Sequence, residues 1–147
     1  MIPKSIDIGG VWNVLPPGIH EATLSEVEQR FDTNERRKAL YDGFRDGVQA
    51  LLHAGCKIIF LNGSFVTDKS DPGDFDSCWD PTGVDVKRLA PVFLDFSNKR
   101  RRQKLKFGGE FFPSSATADG SRTFVSFFQT DKDTGKEKGI IRIQLSS

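Results

Sequence analysis

The stretch Leu61-Asn-Gly-Ser-Phe-Val-Thr-Asp-Lys-Ser-Asp-Pro-Gly-Asp-Phe-Asp76 holds the residues best suited to chemistry. Asp74 and Asp76 stand two apart in a segment, Asp74 to Trp79, that alternates polar and bulky residues like a strand. Residues two apart on a strand share a face, so the two carboxylates converge. Carboxylates held that close repel unless a cation lies between them. Magnesium takes hard oxygen ligands, often one or two carboxylates together with substrate phosphates. Two such ions can clamp the attacking and leaving oxygens of an in-line displacement. Gly63 has no Cβ and lets a phosphate approach the backbone. Ser64 adds a hydroxyl and a backbone N–H at the start of a helical turn expected over 65–70, and helix N-termini favour phosphate.

The elements that must position these groups follow from pattern. Residues 57–62 form an apolar run that reads as a buried strand, broken by Gly63-Ser64. Asp71-Pro-Gly73 reads as a turn that returns the chain into the Asp74–Trp79 strand. Residues 1–20, rich in Pro and Gly, read as an extended N-terminal arm. Thr23 and Glu26 have capping-box spacing for a helix over 24–31. Asn34 heads a longer helix through His53, in which Leu40, Phe44, Val48, Leu51 and Leu52 recur at helical spacing. Residues 85–103 read as mostly helical with an interruption near Pro91. Phe107 to Phe112 reads as a third strand, Phe124, Phe127 and Phe128 have helix spacing, and residues 139–145 read as a final strand. The pattern implies an α/β (α+β) fold in one domain over residues 1–147.

The 147 residues suit one domain, and 37% hydrophobic with 28% charged residues is a globular composition. A net charge of +1 does not mark a nucleic-acid binder, but the charges are segregated. Residues 99–106 read Lys-Arg-Arg-Arg-Gln-Lys-Leu-Lys, and residues 68–80 carry five aspartates. Two cysteines without metal-ligand spacing argue for a reducing compartment. No leader pattern and no long apolar run is present, so a cytoplasmic protein with no membrane partner is expected.

The central stretch resembles the signature of the DNA polymerase β-like nucleotidyltransferase superfamily. That signature is a hydrophobic residue, Gly, then Gly or Ser, a spacer of roughly ten residues, and Asp-hydrophobic-Asp/Glu. Here Asn62 precedes Gly63-Ser64, nine residues intervene, and Asp74-Phe75-Asp76 follows. More closely, the chain resembles the small bacterial nucleotidyltransferase-like proteins of the DUF6932 type, from about Pro16-Pro17-Gly18 through Lys138-Gly139-Ile140. The resemblance implies a minimal nucleotidyltransferase fold, a small mixed β-sheet with helices mainly on one face. It implies a third carboxylate on a later strand, and Glu110 in Gly108-Gly-Glu-Phe-Phe112 is the match. Asp74, Asp76 and Glu110 would then hold Mg²⁺ or Mn²⁺, with Glu110 also orienting or deprotonating an acceptor hydroxyl, and Ser64 would contact the terminal phosphates of a nucleoside triphosphate. The implied reaction moves a nucleoside monophosphate to a protein hydroxyl or an RNA 3′ end. Small members often occur in toxin–antitoxin or phage-defence pairs, which implies a cognate partner. The sequence departs from the pattern at Ser77, where a hydrophobic residue is usual, at Phe65-Val66-Thr67, where a basic residue often stands, and in having Glu rather than Asp as third acid. A degenerate, non-catalytic module of the same fold, binding nucleic acid or a protein, is the alternative.

Other features have competing readings. An EF-hand loop needs a Glu at position 12, but counting from Asp68 reaches Trp79 and from Asp74 reaches Asp85. The Lys99–Lys106 block suits RNA or the triphosphate, and equally a solvated helix end and strand edge. Within it Lys104 and Lys106, leading into the Glu110 strand, are the phosphate-binding candidates. Lys132 and Lys138 suit either the site or a charged turn. His20, His53 and Cys78 read as structural, and the Phe124/Phe127/Phe128 stripe reads as core.

Overall fold

The computed structural model describes residues 1–145. The expected capping box forms: the Thr23 hydroxyl accepts from the Glu26 N–H, and the Glu26 carboxylate accepts from the Thr23 N–H, opening α1 (Leu24–Phe31). The Asn34 side chain accepts from the Arg37 N–H and opens α2 (Glu35–His53). The inward stripe of α2 is Leu40, Phe44, Val48 and Leu51, all buried. Leu52 does not belong to it and is 42% exposed, because the step from Leu51 turns it onto the solvent side. Gly43 and Gly47, one turn apart, let α2 lie directly on its neighbours. A Cβ at Gly43 would stand 1.8 Å from the Phe107 carbonyl oxygen, and one at Gly47 would stand 2.3 Å from the Phe111 ring.

Five strands make one mixed sheet: β1 (Gly18–Ala22), β2 (Ile58–Asn62), β3 (Phe75–Trp79), β4 (Gly109–Pro113) and β5 (Gly139–Gln144). Their order is β1-β5-β2-β3-β4, with β1/β5 and β3/β4 parallel and β5/β2 and β2/β3 antiparallel. The N-terminal arm is shorter than expected, since Gly18, Ile19 and His20 pair with Gly139, Ile140 and Ile141. A five-residue strand has too little alternation of its own to be read locally. Pairing across the whole chain creates it. Upstream, Ile6 and Val14 exchange backbone hydrogen bonds, and Ile2, Val14 and Leu15 are buried.

The 85–103 segment is interrupted near Pro91 as expected, but it is less helical than its pattern implies. It makes two 3₁₀ turns, Val86–Arg88 and Pro91–Leu94, before α3 (Ser97–Phe107). Pro91 lacks a donor, and the Asp85 and Asp95 carboxylates capture the N–H groups of Lys87 and Ser97 in local turns. Asn98, Lys99 and Arg100 adopt left-handed backbone angles (φ 51°, 55° and 62°), a costly conformation for residues with side chains. The helix continues through Phe107 and ends at Gly108, so β4 begins two residues later than the expected third strand. Lys104 and Lys106 are therefore helical.

Strand alternation divides the sheet. Ile59, Leu61, Phe75, Trp79, Phe111, Ile141 and Ile143 face α1, α2 and α3 in one large core. The opposite face carries Cys78, Ile140, Phe60 and Phe112, with the short α4 (Phe124–Phe128) packed over it. The result is a mixed α/β fold with its helices mainly on one face. Both cysteines are free and buried. Among the described residues no helix is long and apolar enough to cross a membrane.

Candidate metal centre

The sparsely covered face of the sheet carries the chemistry. Asn62 pairs in register with Asp76, and Asp76 with Glu110, so three neighbouring strands present one row of polar side chains. Asp74 stands two residues before Asp76, at the mouth of β3. Asp74, Asp76 and Glu110 each offer an oxygen, and the three oxygens lie within 4.8 Å of one another. They line a cavity of ≈ 530 Å³ together with Gly63, Ser64, Arg100, Lys132 and Lys138.

Burial and mutual repulsion shape the charges. Asp76 is pushed up to about 6, first by burial and then by the charges of Asp74 and Glu110. Asp74 is also raised, by burial and by Glu110. Lys138 is pulled down to about 8 by its burial, while Asp76 and Asp131 hold part of its charge in place. Its ammonium donates to the Asn62 side-chain oxygen. Glu110 is gripped by two cations: Arg100 Nε donates to Oε2 at 2.8 Å, and Lys104 Nζ lies 3.1 Å from Oε1.

The strand reading of Asp74 and Asp76 thus corresponds to what the fold brings together, and Glu110 joins them. Gly63 lies at the cavity, yet its first duty is backbone geometry. Its φ of +94° disfavours other residues, and a Cβ there would stand 2.9 Å from the Asp76 nitrogen. Ser64 opens a 3₁₀ turn of only three residues, Ser64–Val66, too short to build a helix dipole, and its hydroxyl donates to the Asp74 carbonyl. Lys104 reaches the site through Glu110. Lys106 does not: two residues on, it leaves that face of α3, and its ammonium sits over the Phe107 ring. Lys132 and Lys138 both line the cavity, and the segment between them is also a turn, in which the Gly135 N–H donates to the Asp131 carbonyl. The phenylalanine stripe is only partly core. Phe128 is buried, whereas Phe124 and Phe127 are half-buried and line the cavity with Phe112. Ser77, the departure after Asp76, is fully buried on the core face, and its hydroxyl donates to the Phe60 carbonyl.

Residues outside the motif hold it in place. The first turn of α2 staples the loop between Ser64 and Asp74. Arg37, 4% exposed, donates to the carbonyls of Phe65 and Thr67 at 2.7 Å and Lys69 at 2.6 Å. Arg36 donates to the carbonyls of Pro72 and Gly73, and Asn34 to that of Ser70. Two arginines in a helix's first turn oppose its dipole, which is the sequence signal that they serve something other than the helix. On the opposite side, the arm crosses the cavity. The N–H of Val11 donates to Asp133, the N–H of Asn13 to Asp68, and Trp12 between them lines the opening.

Comparison with known proteins adds one identification. No curated protein and no solved structure matches the chain. A protein-family model, described as a family of unknown function (DUF6932), matches residues 11–144. That span takes in the acid row, the stapled loop and the crossing Trp12, and the chain belongs to the DUF6932 family.

Proposed function

We propose that this protein is a divalent-metal-dependent nucleotidyltransferase that moves a nucleoside monophosphate from a nucleoside triphosphate to a hydroxyl acceptor. The observation that carries the reading is the meeting of Asp74, Asp76 and Glu110 within 4.8 Å beside the Gly63-Ser64 turn. Three converging carboxylates supply the hard oxygen donors that Mg²⁺ or Mn²⁺ takes. Burial first, and then the charges of Asp74 and Glu110, raise the proton affinity of Asp76, and a cation among the three carboxylates would offset the part due to their mutual repulsion.

Asp74, Asp76 and Glu110 would hold the metal. When bound, it would neutralise phosphate charge and polarise the reacting phosphorus–oxygen bond. The chain's own residues supply the rest. Lys132 and Lys138 face the cavity and offer positive charge to phosphate oxygens. Arg100 stands at the Glu110 end of the row and can pass a guanidinium N–H to a phosphate without leaving the carboxylate. Attack by the acceptor oxygen forms a bond to the α-phosphorus, the bond to the β-phosphate bridging oxygen breaks, and pyrophosphate leaves. The acceptor's proton passes to a Glu110 oxygen and then to water. Trp12, on the arm that crosses the cavity, lines its opening.

The test is incubation with α-labelled triphosphates, Mg²⁺ and a cell lysate. Label is expected on a macromolecule with the wild type and not with Asp74→Ala/Asp76→Ala. A second reading, a non-catalytic module, draws on the Arg100–Glu110–Lys104 ion pairs, which give one of the three acids its counter-charge without metal. Under it neither Mg²⁺ nor any triphosphate raises the melting temperature, and no label is transferred.

A further inference from the structure

The outward side of α3 is the most one-sided charge on the molecule. Six of the chain's 21 Lys and Arg residues fall within its 11 residues, against none of its 20 Asp and Glu. Gln103 and Phe107 point inward and anchor the helix, with the Gln103 amide accepting from the Phe111 N–H and donating to the Val92 carbonyl. Arg100 and Lys104 turn toward Glu110. Arg101, Arg102 and Lys106 stand in solvent, and among the described residues only Arg102 of the three has an acidic partner, the Asp95 carboxylate at 3.3 Å. The charges of Arg101 and Lys106, left without an acidic partner among the described residues, are ones that a polyanion laid along the helix would neutralise.

Aromatic rings continue from this helix into the cavity. Phe96, 41% exposed just ahead of α3, stacks on Phe112 with ring centres 6.1 Å apart. Phe112 stacks on Phe124 at 4.1 Å, and the Arg100 guanidinium lies over the Phe112 ring at 5.3 Å. Phe112 and Arg100 both line the cavity that holds the acids. Basic side chains that follow a backbone, beside exposed rings on which bases stack, are the recurring means of holding single-stranded nucleic acid. An acidic peptide would use the charges but would leave the ring of Phe96 without a role.

We propose that α3 and the exposed ring of Phe96, which Phe112 and Phe124 back from the cavity side, form a track for single-stranded nucleic acid that runs toward the Asp74/Asp76/Glu110 cluster. This names the acceptor class for the reaction proposed above and rests on that reading only for what happens at the strand's end. The binding itself stands apart from it.

The experiment is fluorescence anisotropy with a labelled single-stranded uridine 12-mer, at salt concentrations from 50 to 200 mM. Wild type is expected to bind with an affinity that falls with salt. Arg101→Ala/Arg102→Ala/Lys106→Ala should weaken binding more than tenfold and flatten the log–log salt slope by about 2, at roughly 0.7 per phosphate contact for single strands. Arg101→Lys/Arg102→Lys/Lys106→Arg should retain the slope. Phe96→Ala should weaken the 12-mer while leaving the slope unchanged, since stacking carries no charge. Asp74→Ala/Asp76→Ala should bind the 12-mer at least as well as wild type, even if the transferase reading fails. Absence of salt-dependent binding, an unchanged affinity in the triple alanine variant, or equal competition by a poly-glutamate peptide of matched charge would overturn the proposal.

Discussion

Replacing Asp76 by asparagine is expected to stabilise the metal-free protein at neutral pH. The Asp76 carboxyl is pushed from its ordinary 3.8 to about 6 by burial and by two neighbouring carboxylates, so it holds its proton more tightly when folded than when unfolded. Between about pH 4 and pH 6 the folded chain keeps a proton that the unfolded chain has released, so stability falls as pH rises through that window. Below it both states are protonated and the penalty is absent; above it the penalty is complete. Each pKa unit corresponds to about 1.4 kcal/mol, so the ionised form costs about 3 kcal/mol at pH 7. That figure is already net of the attraction to Lys132 and Lys138. Asparagine keeps the shape and cannot ionise, so it removes most of the cost. In urea titrations with EDTA at pH 7, Asp76→Asn should exceed wild type by about 1–3 kcal/mol, and the advantage should vanish near pH 4. Millimolar Mn²⁺ should reverse the ranking by stabilising only the wild type. A variant that is weaker than wild type at both pH values would refute the account, because it would mean that the carboxylate is satisfied where it stands.

Metal affinity should carry the same titration. Mn²⁺ binding, followed by calorimetry, is expected to weaken up to about tenfold for each pH unit below 6, since Asp76 must lose its proton to ligate. Arg37→Met should cost about 3–5 kcal/mol in chemical denaturation, because it leaves several shielded carbonyls without donors. The same variant should lose Mn²⁺ affinity as the loop before Asp74 loosens, and retention of full affinity would show that the loop needs no staple. Gly47→Ala should lower the urea midpoint by the equivalent of about 2 kcal/mol or more, since its methyl meets the Phe111 ring at 2.3 Å inside a packed core. An unchanged midpoint would show that α2 can shift away at little cost.

Local signals were readable from the sequence, and long-range ones were not. The capping box at Thr23, the Asn34 cap and the Asp74–Trp79 alternation are written in residues three or fewer positions apart, and each forms as its spacing dictates. The acid pair was legible for the same reason. Glu110 needed a family likeness, because its neighbour relation to Asp76 is made by parallel pairing across 34 residues. The strand at Gly18–Ala22 exists only through β5 and has no local signature. The segment at 85–103 carried helix-forming residues, yet Asp85, Pro91 and Asp95 each impose their own turn. Closeness in sequence to the Glu110 strand points to Lys106 rather than Arg100, but a helix leads into that strand. A helix turns the residue at 106 away from the face that 104 shares, and the left-handed stretch at 98–100 brings Arg100 onto Glu110. Arg36 and Arg37 signal an unusual role by opposing the dipole of α2, but their partners are main-chain carbonyls, which side-chain patterns do not identify.

The common register of Asn62, Asp76 and Glu110 has a consequence for how the chain matures. A slip of β3 by one residue would exchange its two faces. Asp76 would then point among Phe44, Phe111 and the other rings of the large core, and Phe75 would point toward water. A carboxylate buried among those rings is costly, so the acids of the row disfavour the slipped register and help to fix the pairing of β3.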